Sequence, residues 1–177
     1  MVRLYIKKLK SIWMILYIIS IIYFYVINRN TVSVNELDMI HRIIYSHFMT
    51  LSSTMFFLLA SYERTKVVLD NKNNIMVRLK EEDFIFKLVK IAIVNVLLYT
   101  LISYIIPYVF FTKLYNANFI NLYAYFITYS AILMLLYEFI YIYSLFFSNH
   151  GKKQKVMMIL PFFINVIMHY TIQASIF

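Results

Sequence analysis

The sequence is poor in the residues that many active sites and nucleotide-binding loops need. Its 177 residues include no cysteine, one glycine and two prolines. Without cysteine there are no disulfides, thiolate metal sites or cysteine nucleophiles, which excludes the membrane cysteine peptidases that process signalling peptides. Because Gly151 is the one glycine, a glycine-rich phosphate loop is excluded, and no GxSxG or paired-aspartate motif occurs. We therefore predict no enzymatic activity and no cofactor.

Acidic residues are also scarce. The chain has eight Asp and Glu against 17 Lys and Arg, which gives a net charge of +9 at pH 7. In a soluble protein this excess would suggest nucleic-acid binding. Here 63% of the residues are hydrophobic, and they form long runs that are typical of a multi-pass membrane protein. Basic residues beside such runs set topology and attract anionic lipid, so we predict contact with a lipid bilayer and none with nucleic acid.

Five apolar runs predict an all-α fold of five transmembrane helices with no separate soluble domain. Each spanning helix needs about 20 residues. The fourth run is long, but at about 1.5 Å per residue it is too short to cross a hydrocarbon core of about 30 Å twice. The predicted spans are residues 12–28, 43–61, 91–111, 120–147 and 156–176.

The distribution of Lys and Arg orients these predicted helices. Fourteen of the 17 lie in residues 1–11, 63–90 and 152–155, and three remain for the alternate loops. Basic loops stay on the cytoplasmic side of a membrane. We therefore expect a multi-pass protein of a bacterial cell membrane, with its N-terminus in the cytoplasm and its C-terminus outside.

Glu138 is the only acidic residue inside an apolar run. A carboxylate in hydrocarbon has to be paired, hydrogen-bonded or protonated, so it is a functional candidate. It could act as a polar clamp between helices, as a proton relay or cation site, or at a subunit contact. His47, His169 or a tyrosine hydroxyl are its expected partners. No HxxxH or HxxE motif accompanies them, and we predict no metal site.

The second predicted span is the most polar of the five. Ser46, Thr50, Ser53 and Thr54 recur at helical spacing, and His47 falls on the same face as Thr50 and Thr54. Small polar residues let membrane helices pack closely and hydrogen-bond to each other. This face is either a helix-packing face or a wall that faces a substrate. Asn95 adds an intramembrane polar residue in the third span.

Residues 62–90 form the one long charged segment, predicted to lie at the cytoplasmic surface. Residues 70–74 carry a turn signal. A short amphipathic helix is expected after it, with Ile75, Met76 and Leu79 on its apolar face. Three successive acids at 81–83 argue against a role as a simple lipid anchor, since anionic headgroups repel them. A protein partner with basic residues suits them better.

The sequence NNIMVRLKEEDFIFKLVK at 73–90 resembles the first cytoplasmic loop of type-two ABC exporter permeases, in their small bacterial peptide-export and immunity branch. In that family a hydrophobic-Arg-hydrophobic step, matched here by residues 75–79, is followed by a polar turn, an aromatic residue and a lysine. The second part is matched by Phe84, Phe86, Lys87 and Lys90. The basic residues 1–11 resemble the family's elbow helix. The family usually has six spans, whereas this sequence shows five.

The resemblance implies that this loop is a coupling helix that docks on a cytoplasmic ATPase. ATP would then be bound by the partner subunit. The residues expected to make the contact are Ile75, Arg78, Leu79, Glu81, Glu82, Phe84 and Lys87.

Three functions stay open from the sequence. The first is a permease-like subunit of an ABC exporter for a peptide or amphiphile, acting with an ATPase and with a second membrane subunit or a second copy of itself. The second is a stand-alone immunity or regulatory membrane protein that binds another membrane protein or a membrane-active peptide. The third is a proton- or ion-coupled carrier that uses Glu138.

Overall fold

The computed structural model describes residues 11–32, 47–77, 81–106, 108, 117–144 and 151–175. Every element in these ranges is a helix, and they contain no strand. The prediction of an all-α fold is therefore confirmed for this part of the chain.

Six α-helices form the described structure, and two of them adjoin a π-helical stretch. In a π-helix each N–H bonds to the carbonyl five residues earlier, and such wide turns often lie at functional sites. The first π-helical stretch, His47–Ser53, leads into α2, and the second, Leu101–Ile105, continues α4. The α-helices are α1 (Ile12–Val32), α2 (Thr54–Asp70), α3 (Lys72–Met76), α4 (Glu81–Thr100), α5 (Ala117–Ser144) and α6 (Gly151–Ser175).

Two of the described helices are long and apolar enough to cross a membrane. They are Glu82–Ile105, which joins α4 to its π-helical stretch, and Tyr123–Ser144 within α5. A shorter apolar stretch, Ile12–Ile27, lies in α1. Glu82–Ile105 and Tyr123–Ser144 resemble membrane-spanning segments in length and composition.

Helix α1 lies antiparallel to α2. Ser11 Oγ, at the start of α1, donates a 2.5 Å hydrogen bond to Glu63 Oε2 near the end of α2. Further along α1, Ser20 Oγ donates to Ser53 Oγ at 2.8 Å. The segment formed by the first π-helical stretch and α2 therefore runs in the opposite direction to α1. Ser11 also caps α1, because its Oγ accepts a hydrogen bond from the backbone N–H of Trp13 at 3.3 Å.

The main core is aromatic and rich in hydroxyl groups. Tyr17 of α1 is fully buried, and its hydroxyl donates to the Tyr99 carbonyl at 3.1 Å and lies 2.6 Å from Ser103 Oγ. Its ring meets Phe57 edge-to-face, with centroids 5.0 Å apart. Buried aromatic groups supply large apolar area, and their polar ends need hydrogen-bond partners. Tyr17 meets both needs and joins α1 to α2 and α4.

A second, smaller core lies where the charged segment meets the bundle. Val68 of α2, Phe84 and Leu88 of α4 are buried together, and Ile75 and Ile142 pack against them. The described part of residues 62–90 contains the end of α2, the whole of α3 and the start of α4. Helix α2 continues to Asp70, a turn at Asn71 precedes α3, and α4 begins at Glu81, well before the predicted start of the third span at 91. Apolar contacts with the bundle draw this segment into longer helices.

Candidate functional site

Glu138 of α5 lies at the centre of a buried polar cluster. Its side chain is 4% exposed, and its Oε1 accepts a 2.7 Å hydrogen bond from Ser61 Oγ. The same Ser61 oxygen accepts a 2.8 Å hydrogen bond from Arg64 Nη2. Asn95 of α4 also hydrogen-bonds to the carboxyl group, and Arg64 interacts with it electrostatically. The cluster thus joins α2, α4 and α5.

The spacing of residues along α2 explains how the side chains of Ser61 and Arg64 come to lie near Glu138 together. Residues three apart in a helix share one face, and Thr54, Phe57, Ser61 and Arg64 are all buried at successive spacings of three and four. Arg64 is 1% exposed, and its guanidinium lies over the Phe57 ring at 5.4 Å from the centroid. The positive charge of Arg64 offsets part of the free-energy cost of burying the Glu138 carboxylate. The Ser61 hydroxyl alone would not do so.

His169, one of the partners expected for Glu138, hydrogen-bonds to another residue. His169 is buried elsewhere, and its Nδ1 lies 2.8 Å from Thr50 Oγ1. The side chain of His47 lies outside the described residues. Tyr141, one helical turn after Glu138, donates its hydroxyl to the Leu58 carbonyl at 3.2 Å. Sequence reasoning missed Ser61 and Arg64 because it ended the second span at 61, although the α-helical spacing from Thr54 continues to Arg64.

A polar cavity of about 50 Å³ lies between α2, α4, α5 and α6. Both π-helical stretches contribute to its wall, the first through Thr50 and the second through Tyr104. Hydrogen bonds cross that wall: Thr54 Oγ1 lies 2.9 Å from the Tyr99 hydroxyl, and the Tyr104 hydroxyl donates to Ser130 Oγ at 3.2 Å. The lining consists of Thr50, Thr54, Tyr99, Tyr104, Phe126, Tyr129, Ser130, Leu133, Met134, Tyr137, Asn165, Met168 and His169.

The structure therefore separates the intramembrane polar residues into two groups. Thr50, Thr54 and His169 line the cavity. Asn95 and Glu138 belong to the cluster with Arg64 and do not line it. Among the described residues, no three His, Asp or Glu side chains are placed to hold a metal ion. The hydroxyl-rich face of the second predicted span thus contributes both to packing and to the cavity wall.

The described residues among those expected to couple to an ATPase do not share one surface. Phe84 is 2% exposed and lies in the second core, so its ring is not available to fill a partner's pocket, which corrects the role expected for it. Ile75 packs against that core, Lys87 is half-buried and Glu82 is exposed. Arg78, Leu79 and the side chain of Glu81 lie outside the described residues. Two exposed apolar side chains, Val77 and Phe86, belong to the stretch that resembles the coupling loop but are not among the expected contact residues.

Comparison of the chain with protein-family models, with curated proteins and with solved structures finds no match.

Proposed function

We propose that the chain is a small permease-like membrane subunit of an ABC exporter for a peptide or amphiphile, coupled to a separate ATPase through residues 75–87. The observation that supports this is an exposed surface formed by the residue after α3 and by the first turns of α4. Val77 is 88% exposed and Phe86 59%, and Glu82 and Asp83 are exposed between them in sequence. Apolar side chains next to carboxylates suit a protein partner with basic residues better than an anionic lipid surface.

The attachment of this segment to the bundle supports a coupling role. Ile75, Phe84 and Leu88 pack with Val68 of α2 and Ile142 of α5. A partner that moves residues 75–87 would therefore act on α2, α4 and α5 together. Those are the three helices that the Glu138 cluster joins.

We infer a five-span topology with the N-terminus in the cytoplasm and the C-terminus outside, in a bacterial cell membrane. The fourteen basic residues within 1–11, 63–90 and 152–155, against three in the intervening segments, support it. The alternating helix directions support the up-and-down arrangement, because the start of α1 contacts the end of α2 at Ser11 and Glu63. The start of α4 and the end of α5 meet the same part of α2 at Phe84, Ile142 and Val68. Since exporter permeases of this kind usually have six spans, a second membrane subunit or a second copy would complete the transporter.

Site-specific photo-crosslinking in native membranes tests the proposal. A photoreactive residue at Val77 should crosslink to a chain that mass spectrometry identifies by a Walker-type ATP-binding loop. The matched control is Leu97, which is 61% exposed further along α4 and faces lipid in this topology. Crosslinking of Val77 to lipid alone, as for Leu97, would contradict the proposal.

A stand-alone immunity or regulatory membrane protein is the second candidate. Its support is the number of polar contacts that hold the bundle together within one chain. Ser11 and Glu63 join α1 to α2, Tyr17 and Ser103 join α1 to the second π-helical stretch, and Ser61 and Glu138 join α2 to α5. This candidate predicts a folded, active monomer in the absence of any ATPase.

A carrier that uses Glu138 is supported less well by the geometry. Its carboxyl group is hydrogen-bonded by Ser61 and Asn95 and interacts with Arg64, and it does not line the cavity. A proton or ion relay needs a group that can exchange with a water-filled path. The arrangement supports the alternative of a polar clamp between helices.

A further inference from the structure

Two side chains that line the cavity carry polar atoms without a hydrogen-bond partner among the described residues. They are the Tyr137 hydroxyl on α5 and Asn165 Nδ2 on α6. Both residues are buried, Tyr137 at 1% exposed and Asn165 at 6%. Buried polar groups in proteins are nearly always satisfied, by protein or by ordered water. Each of these two atoms therefore calls for a hydrogen-bond partner that the described residues do not supply.

The chemistry of the wall limits what that partner is. Among the described residues, the lining contains no Asp, Glu, Lys or Arg, and an uncompensated charge is strongly disfavoured in a membrane interior. Asn165 Nδ2 can only donate a hydrogen bond, whereas the Tyr137 hydroxyl can donate or accept one. The partner must therefore be uncharged and must offer at least one acceptor.

The size of the cavity limits the partner further. A volume of about 50 Å³ is too small for a peptide and has room for a few water molecules. The neighbouring hydroxyls form pairs across the wall, Thr54 with Tyr99 and Tyr104 with Ser130. These pairs still have unused lone pairs that a small donor can reach. Water meets every requirement of charge, size and hydrogen bonding.

We propose that the cavity is an internal hydration site, in which a small cluster of ordered water molecules accepts a hydrogen bond from Asn165 Nδ2 and bonds to the Tyr137 hydroxyl. The cluster bridges α5 and α6, next to the wall that both π-helical stretches help to form. This inference goes beyond the proposed function and does not depend on it, since a stand-alone protein would hold the same water.

Radiolytic hydroxyl labelling of the full chain in lipid nanodiscs tests it. Ionising radiation generates hydroxyl radicals from water, and these react with side chains close to where they form. Met134 lines the cavity and is 1% exposed. Met49 and Met158 are matched controls, because they are 2% and 5% exposed and do not line it. Met134 should be oxidised several-fold faster than both controls.

A pair of variants ties the water to Asn165. Asn165→Leu replaces the amide by an apolar group of similar size and should lower Met134 labelling to the level of the controls. Gln154→Leu removes another buried amide donor of α6 that does not line the cavity, and it should leave Met134 labelling unchanged. If Met134 in the unaltered protein is oxidised no faster than Met49 and Met158, the cavity is dry and the proposal is wrong. Unchanged labelling in a folded Asn165→Leu protein would overturn it as well.

Discussion

Ser61 donates a 2.7 Å hydrogen bond to Glu138, and its oxygen accepts a 2.8 Å hydrogen bond from Arg64. The serine thus stands between an arginine and a carboxyl group, both of which are almost fully buried. Breaking such a pair by removing one partner is costly, whereas replacing both partners is often nearly neutral. Comparing the stability of a single variant with that of the double variant therefore tests whether the cluster is a structural clamp.

The first prediction concerns Arg64. Arg64→Met keeps much of the side-chain volume but removes the donor to Ser61 and the positive charge near the Glu138 carboxyl, and it should lower the free energy of unfolding by about 1–3 kcal/mol. Lys66→Met is the control, because Lys66 is exposed on the same helix, and it should change little. The measurement is unfolding of the detergent-solubilised protein.

A double variant completes this test. Arg64→Met combined with Glu138→Gln removes both charges, and Gln can still accept a hydrogen bond from Ser61. The double variant should be more stable than Arg64→Met alone. If Arg64→Met is as stable as Lys66→Met, the cluster does not hold the helices together.

The second prediction compares two phenylalanines of α4 that are two residues apart. Phe84 is 2% exposed in the second core, whereas Phe86 is 59% exposed and has Lys90 Nζ 4.4 Å from its ring centroid. Phe84→Ala should destabilise the protein by about 3–5 kcal/mol, the usual cost of removing a buried aromatic ring. Phe86→Ala should affect binding of a partner and leave stability nearly unchanged. Equal thermal stability of the two variants would contradict the orientation of α4.

The orientation of α4 shows what the sequence could have predicted. Phe84, Leu88, Ala92, Asn95 and Tyr99 are all buried, and their spacings of three and four mark one helical face. This spacing can be recognised in the sequence once α4 is known to begin at Glu81. The prediction started the third span at 91 and therefore missed the first part of this buried face, because the charged residues before that point suggested a surface loop.

Other features could not be predicted from one helix at a time. Helical spacing placed Thr50 and Thr54 on one polar face, but the cavity also needs Tyr104 of the second π-helical stretch and Asn165 of α6. The pairing of Glu138 with Arg64 depends on how α2 and α5 cross. Such contacts are set by tertiary packing, which spacing within a helix does not encode.

The third prediction uses the one tryptophan of the chain. Trp13 Nε1 donates a 3.1 Å hydrogen bond to Glu63 Oε1, and its ring stacks on Phe56 with centroids 6.4 Å apart. Glu63→Ala removes the acceptor for both Trp13 and Ser11, and should cost about 1–3 kcal/mol. The emission of Trp13 should move to longer wavelength as the indole gains contact with water. Lys66→Ala is the control, and an unchanged emission spectrum in Glu63→Ala would show that this contact does not hold the start of α1.

The fourth prediction concerns topology. Because the chain has no cysteine, a single introduced cysteine reports its own position without interference. Cysteines at Asn35 and Asn116 should react with a membrane-impermeant thiol reagent in intact cells. Cysteines at Asn73 and Lys153 should react only after the cells are opened. Labelling of Asn73 in intact cells would reverse the orientation inferred from the basic loops.

The central claim is that the exposed surface around Val77 lies in the cytoplasm and binds an ATPase. The most direct measurement is the labelling rate of a cysteine at Val77 in inside-out membrane vesicles, with and without the ATPase that crosslinks to this position. We predict rapid labelling of the 88% exposed position in bare vesicles and strong protection when the ATPase is added, while a cysteine at Lys153 stays equally reactive in both. Labelling of Val77 from outside intact cells, or an unchanged rate in the presence of the ATPase, would contradict the account.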